Sequence, residues 1–92
     1  MRIDWDDNKS EQLKHERGFS FEEVSTVIRQ PHPMVRKNDD PEQYLGIGFV
    51  KGQLVTVVHE FREDADGEFV WLVTYWKTTK TEAKDYEEFR KG

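Results

Sequence analysis

The sequence predicts a small α+β domain in which two helices precede an antiparallel meander of three or four strands and one helix follows it. Apolar runs at Leu54–Arg62 and Phe69–Lys77 flank a short acidic turn that ends in Asp-Gly, which is typical of a β-hairpin. Capping boxes at Ser20–Glu23 and Thr79–Glu82 lie on either side of this region and mark helix starts. This order of strands and helices indicates the α+β class.

The N-terminal segment predicts a short strand and a helix. Apolar and polar residues alternate in Met1–Trp5, as they do in a strand. Asp6 or Asp7 is placed to cap a helix that ends at about Glu16. Gly18 follows in the position where a left-handed residue commonly ends a helix.

Two further helices have stronger start signals. The second helix begins with the capping box of Ser20 and Glu23 and ends before Pro31, because proline cannot continue a helix. Its apolar face, at helical spacing, consists of Phe21, Val24, Val27 and Ile28. The C-terminal helix begins at the capping box of Thr79 and Glu82. Its apolar face consists of Ala83, Tyr86 and Phe89.

The middle of the chain predicts the strands of the meander. Met34–Asp40 is compatible with a short strand, and Tyr44–Val50 predicts another, in which two glycines indicate a bulge or a close backbone approach. A tight turn at Lys51-Gly52 leads into Leu54–Arg62, the clearest strand, and Phe69–Lys77 completes the sheet. Connections this short require antiparallel pairing.

Length and composition restrict the possible functions. Ninety-two residues suit one domain, which we expect to span residues 1–92. The absence of cysteine excludes disulfides, thiolate metal sites and a cysteine nucleophile. No apolar run approaches the roughly 18 residues of a membrane span, and no signal peptide is visible, so we expect a cytoplasmic protein. The formal net charge of −5 argues against non-specific nucleic-acid binding but leaves room for a local cationic site.

Several short motifs, in order along the chain, resemble the BrnT toxins. They are Trp5-Asp6, Lys9, Lys14-His15, Phe21-Glu22-Glu23, Ile47-Gly48, Arg62 and the segment Val73–Tyr86 with Glu82. The resemblance implies a RelE-like fold, endoribonuclease activity that needs no metal or cofactor, and inhibition of translation. It also implies a BrnA-like antitoxin with a ribbon-helix-helix domain, RNA as the substrate, and contact with operator DNA only through the antitoxin.

At two positions the chain departs from the family pattern. These toxins usually carry an arginine just before the strand that leads into Ile47-Gly48, where this chain has Gln43. They usually carry another at the end of the last strand, where the alignment places Trp76. A shift of one residue would place Lys77 there instead. Because neighbouring residues of a strand face opposite sides, the two alignments imply different chemistry.

Metal-free RNA cleavage needs a base for the 2′-hydroxyl, an acid for the leaving 5′-oxygen and cations for the charged transition state. We predict four catalytic residues by this resemblance: Lys14, His15, Arg62 and Lys77. Arg62 and Lys77 would stabilise phosphate charge, since the arginine fork suits phosphate oxygens. Lys14 and His15 would place or protonate the substrate, because histidine titrates near neutral pH.

Two of these residues also have a structural interpretation. His15 is placed to pack on its helix or to cap the helix carbonyls. Arg62 is placed to form a hairpin-end ion pair with Glu63 or Glu68, which contributes ~0–1 kcal/mol when exposed. Both interpretations stay open at this point.

Three further residues are predicted to bind the substrate: Lys80, Trp76 and Glu60. A phosphate at the strand-to-helix junction would meet Lys77, Lys80 and the amides of the helix N-terminus, although an ordinary solvated junction explains these lysines equally well. Trp76 can stack on a base, but a tryptophan in an aromatic-rich strand is more often part of the core. Glu60 can act as a base beside Arg62 or form an ion pair on the strand face.

The remaining histidines predict no metal centre. His59 alternates with apolar residues along its strand, which favours a core or boundary position, and His32 between two prolines is predicted to lie in a loop. Three scattered histidines without cysteine have no metal-ligand spacing, so we expect no metal and no cofactor.

A second hypothesis keeps the fold and removes the catalysis. The chain would then be a catalytically inactive BrnT-like module for protein–protein interaction or regulation. The net charge of −5 and the presence of Gln43 and Trp76 at usual arginine positions favour this hypothesis.

Overall fold

A computed structural model describes all residues, Met1–Gly92, and contains a single five-stranded sheet and three helices. The elements follow in the order β1 (Arg2–Asp4), α1 (Asp7–Arg17), α2 (Phe21–Arg29), β2 (Met34–Asp39), β3 (Glu42–Val50), β4 (Gln53–Asp64), β5 (Gly67–Lys77) and α3 (Lys80–Lys91). The strands lie in the order β1-β5-β4-β3-β2. The predicted α+β class and three helices are confirmed, whereas the sheet has five strands rather than three or four.

The N-terminal strand changes the predicted sheet. The meander β2 to β5 is antiparallel as expected, but β1 pairs with β5 in parallel, with Ile3 opposite Val70. Helices α1 and α2 separate β1 from the rest of the sheet along the chain. Parallel neighbours need such a long connection, so a pattern of short turns carries no signal for this pairing.

The helix caps that the sequence predicts are present in the structure. The Asp6 side chain accepts a hydrogen bond from the Lys9 amide at 3.0 Å, and Gly18 ends α1 with φ of 98°, a left-handed conformation that favours glycine. Capping boxes are present at the starts of α2 and α3, as the sequence predicts.

Helices α1 and α2 cover one face of the sheet and form the core with it. We call this the helix-covered face, and on β4 it presents Val55, Val57 and His59. The other side, the open face, presents Thr56, Val58, Glu60 and Arg62 of β4. Helix α3 lies over one end of the open face, where the rings of Phe49 and Tyr86 are 5.4 Å apart, and none of its residues is buried. No helix combines the length and apolar character that crossing a membrane requires.

A bulge in β5 decides which of its residues share the open face. The pairing shifts between Val58, opposite Thr74, and His59, opposite Leu72, so that Val73 is the extra residue. Residues an odd number apart on a regular strand face opposite sides. The extra residue therefore brings the two flanking tryptophans, Trp71 opposite Glu60 and Trp76 opposite Thr56, to the same face.

The two glycines of β3 allow α2 to approach the sheet closely, one of the two alternatives that the sequence left open. A Cβ atom on Gly48 would lie 3.2 Å from Val27 Cγ1, and one on Gly46 would lie 2.9 Å from Ile28 Cδ1. Both helix residues belong to the predicted apolar face of α2. Small residues at these positions thus set the distance between α2 and β3.

We expect Gly46→Val to lower the free energy of unfolding by about 1–3 kcal/mol, because the new side chain would overlap Ile28 and the His32 ring. Urea denaturation monitored by tryptophan fluorescence measures the change. Gln53→Val, on an exposed position of β4, controls for the effect of valine on a strand. Unchanged stability in Gly46→Val would contradict the close packing of α2 on β3.

Candidate functional site

Side chains from three strands form a polar cluster on the open face, which we call the Arg62 cluster: Gln43, Glu60, Arg62 and Trp71. Gln43 Nε2 donates a hydrogen bond to Glu60 Oε2 at 2.6 Å. The other carboxylate oxygen, Glu60 Oε1, accepts a hydrogen bond from Arg62 Nε at 2.9 Å and lies 2.7 Å from Arg62 Nη2. The guanidinium carbon of Arg62 lies 4.7 Å from the centre of the Trp71 ring. Three contacts therefore hold the arginine in one orientation on the sheet.

In this cluster Glu60 and Arg62 form a charged pair, and Arg62 keeps one hydrogen-bond donor free. The side chain of Glu60 is 12% exposed, and burial raises its pKa, but the hydrogen bonds from Gln43 and Arg62 outweigh burial and hold the pKa below its usual value. The Arg62 side chain is 45% exposed. Its Nη1 atom has no partner in the protein, so it remains available to an anion from solvent.

A second arginine, which the sequence did not single out, lies on the same face. Arg2 of β1 is opposite Phe69, and Phe69 is opposite Arg62, so the two arginines flank one aromatic residue on three adjacent strands. Strand spacing separates their Cα atoms by about 10 Å. The Arg2 guanidinium stacks on the Phe69 ring at 4.3 Å and pairs with Asp64 at 2.5 Å. No local signal identifies Arg2, because the parallel pairing of β1 puts it there.

The other end of the open face is organised by Glu82. Its Oε1 accepts hydrogen bonds from Trp76 Nε1 at 3.0 Å, Thr56 Oγ1 at 2.9 Å and the Thr79 amide at 3.1 Å. Burial raises the pKa of Glu82, but these donors together lower it below its usual value. The capping carboxylate predicted from sequence thus also fastens the start of α3 to the sheet.

The two positions where the family usually carries arginine both lie on the open face. Gln43 is bonded to Glu60, and Trp76 is opposite Thr56. Lys77 is opposite Val55, on the helix-covered side of the sheet, so a one-residue shift would move this position off the open face. Of Trp76 and Lys77, it is therefore Trp76 that shares the open face with Arg62.

Lys14 and His15 lie on α1, on the helix-covered side of the sheet. Lys14 Nζ pairs with Glu23 Oε1 at 2.6 Å, and Lys51 Nζ pairs with the other oxygen at 2.7 Å. Hydrogen bonds from Lys14, Lys51 and Ser20 keep the pKa of Glu23 far below its usual value. His15 is exposed and makes no hydrogen bond, so it does not cap the helix carbonyls.

The four predicted catalytic residues therefore do not form one group. The sheet separates Lys14 and His15 from Arg62. Lys77 at the end of β5 and Lys80 at the start of α3 are exposed and form no ion pair. The predicted ion pair of Arg62 with Glu63 or Glu68 is wrong in its partner, because the arginine pairs with Glu60 two residues before it.

His59 occupies the core position that its strand pattern predicts. It is buried, and its ring lies between 5.6 and 6.4 Å from the rings of Phe61, Tyr44 and His32. Burial lowers the pKa of His59; the Val57 carbonyl opposes this effect, and the charge of His32 adds to it. No three His, Asp or Glu side chains in the molecule converge as ligands for a metal ion.

Acidification is expected to destabilise the fold through His59. Its folded-state pKa lies below that of the unfolded chain, near 6.5, so the unfolded state binds more protons in this range. The stability contributed by neutral His59 is complete above pH ~6.5 and is lost as the pH falls toward the folded-state pKa. Urea denaturation between pH 7.5 and 5 should show this loss, and His59→Phe should remove it. Parallel pH profiles for the two proteins would contradict it.

The fold and the open face define a small α+β protein that presents two arginines, each stacked on an aromatic ring and paired with a carboxylate. A model of the family described as "Ribonuclease toxin, BrnT, of type II toxin-antitoxin system" matches residues 5–82, most of the chain. The chain therefore belongs to the BrnT family of type II toxin-antitoxin ribonuclease toxins, as the sequence resemblance predicted. Membership implies an antitoxin partner. No curated protein matches the chain.

Proposed function

We propose that this chain is a metal-independent endoribonuclease toxin that binds RNA on the open face of its sheet and inhibits translation in the cytoplasm, where that RNA lies. The observation that carries the proposal is the geometry of Arg62. Its guanidinium is braced by Glu60 and Trp71, is half exposed, and keeps a free Nη1 donor. A preorganised donor that faces solvent is what a developing phosphorane charge requires.

In the proposed reaction, Glu60 accepts the proton of the ribose 2′-hydroxyl, and the 2′-oxygen attacks the adjacent phosphorus. The bond from phosphorus to the 5′-oxygen breaks, and water protonates that oxygen, which leaves a 2′,3′-cyclic phosphate and a 5′-hydroxyl. Arg62 stabilises the charge on the phosphorus oxygens. Glu60 is ionised at neutral pH, as a glutamate with a pKa at or below its usual value must be, so it begins the reaction in the form that accepts a proton.

The rest of the open face would bind the RNA chain on either side of the cleaved bond. Arg2, about 10 Å from Arg62 across Phe69, would meet a neighbouring phosphate. Trp76, half-buried at the other end, would offer its exposed edge to a base, and Lys77 and Lys80 would contact phosphates at the rim of the face. The placement or protonation of the substrate by Lys14 and His15 stays a prediction; both residues lie on the other side of the sheet from Arg62, so the cleavage step proposed above does not use them.

The test of this proposal is cleavage of a single-stranded RNA by the purified protein in EDTA. We expect products with 2′,3′-cyclic phosphate and 5′-hydroxyl ends, together with growth arrest when the protein is expressed without its antitoxin. Cleavage that disappears in EDTA and returns with a divalent metal would contradict metal independence. Cleavage of RNA whose 2′-hydroxyls are methylated would contradict the proposed nucleophile.

A catalytically inactive interaction module is the second candidate. It is favoured by the non-arginine residues Gln43 and Trp76 on the open face, where the carboxylates of Glu60 and Glu82 lie beside them. In that case the protein would neither cleave RNA nor slow growth, yet it would still be purified with its antitoxin. For the partner, we propose a BrnA-like ribbon-helix-helix antitoxin, through which alone the complex contacts operator DNA.

A further inference from the structure

A groove crosses the helix-covered face beyond the end of α2, where no helix covers the sheet. Its volume is about 410 Å³, within the range of ligand-binding clefts. Ile28 of α2 and Val70 of β5 form part of its apolar wall, and His59 lies in its lining. The groove is on the opposite side of the sheet from the Arg62 cluster.

Three of the apolar side chains that line the groove are exposed. Met1, Met34 and Phe61 line it, with 74%, 52% and 48% of their surface accessible. Scattered apolar residues are normal on a protein surface, but a contiguous patch around a groove indicates a binding surface for another molecule.

The charge of the groove differs from that of the chain as a whole. The protein has 19 acidic and 14 basic residues, yet no carboxylate side chain lines the groove. Arg29, in the last turn of α2, lines it and forms no ion pair, and the imidazole of His32 lies beside it. An apolar groove with an unpaired cation at its edge is complementary to a segment that carries a bulky apolar residue next to a carboxylate.

A second copy of this chain fits the groove less well than a different protein does. Two such grooves facing each other would place two Arg29 side chains in one contact without a carboxylate from either groove to pair with them. Phe89 of α3 is an exposed apolar residue beside carboxylates, but it lies on the far side of the sheet from the groove. Its insertion into a neighbour's groove would be a head-to-tail contact that forms open filaments unless the rotation closes a ring.

We infer that this groove receives a segment of the antitoxin, with a bulky apolar side chain between Met34 and Phe61 and a carboxylate on Arg29. The inference rests on the antitoxin included in the proposed function, and it adds the site and the chemistry of the contact. Because the groove and the Arg62 cluster lie on opposite sides of the sheet, binding there does not require the antitoxin to enter the RNA-binding face.

The chain has two methionines, and both line the groove, so their methyl groups report on its occupancy. Toxin labelled with ¹³C at the methionine methyl groups is titrated with unlabelled antitoxin from the same operon and followed by NMR. We expect both signals to shift or broaden up to one equivalent. Formation of the complex without change in either signal would overturn the inference, and so would failure of the wild-type proteins to bind each other.

Charge substitutions test the same contact. We expect Met34→Glu and Arg29→Glu each to weaken antitoxin binding at least tenfold, measured by calorimetry, because both add a negative charge to the groove. Phe89→Glu and Arg90→Glu on α3 are the matched controls and should bind like the wild type. Loss of binding in the controls alone would place the antitoxin on α3 and overturn the inference.

Two further measurements separate this inference from related possibilities. If the toxin alone is a dimer that Met34→Glu dissociates while antitoxin binding is retained, a second copy occupies the groove and the inference is wrong. RNA cleavage by free Met34→Glu should equal that of the wild type. If the wild type cleaves no RNA, the proposed function fails, but the binding measurements still decide the occupant of the groove.

Discussion

Arg62→Ala is expected to lower kcat/KM for RNA cleavage by about 100-fold or more, the effect of removing one preorganised donor from a charged transition state. The substitution also removes the ion pair that orients Glu60, so the position of the base and the phosphate donor are lost together. Arg62→Lys should recover only part of the loss, because an ammonium group cannot reproduce the fork that holds Glu60 and an anion at once. Initial rates on a defined RNA oligonucleotide measure the effect.

Arg36 provides a matched control for this experiment. It also pairs with a glutamate, Glu42, at 3.5 Å, and its guanidinium lies 5.7 Å from an aromatic ring, that of Tyr44. It lies on the helix-covered side of the sheet, because Tyr44 packs against His59. Arg36→Ala should therefore cleave RNA at the wild-type rate. Equal loss in both variants, or full activity in Arg62→Ala, would remove Arg62 from the proposed site.

Phe21→Ala is expected to lower the free energy of unfolding by about 3–5 kcal/mol. The Phe21 ring is fully buried where α2 meets the sheet, and its centre is 6.5 Å from those of Trp5 and Tyr75. Truncation would leave a cavity in the largest hydrophobic cluster of the protein. A domain of this size has roughly 5–14 kcal/mol of stability in all, so this loss is a substantial share of the total.

Phe89→Ala is the control for that substitution, because Phe89 is exposed on α3. We expect it to change the free energy of unfolding by less than about 0.5 kcal/mol. Urea denaturation of both variants, followed by tryptophan fluorescence, gives the comparison. A small loss in Phe21→Ala would mean that α2 contributes little to the core.

Short sequence patterns predicted the helices and most strands of this fold. The caps at Asp6, Ser20 and Thr79 and the left-handed Gly18 mark helix boundaries through hydrogen bonds between residues close in sequence. The acidic turn after β4 and the alternation along β4 predicted the hairpin and the buried position of His59 for the same reason.

The sequence predicted fewer of the contacts in the candidate site. Glu60 and Arg62 were predicted neighbours, since residues two apart on a strand share a face. Gln43 entered through the family pattern alone, and its hydrogen bond to Glu60 depends on the pairing of β3 with β4. Lys14 was predicted beside the phosphate-binding residues, but the sheet lies between them, and Glu23 binds it instead.

The sequence by itself determined the class of fold, the element types and the family, because each depends on short patterns and their order along the chain. Only the tertiary structure decided which residues share the open face. The parallel pairing of β1 adds Arg2, and the bulge at Val73 turns Trp76 to the side of Arg62. These two features depend on contacts between distant segments and on a one-residue shift in register, and neither leaves a periodic signal in the chain.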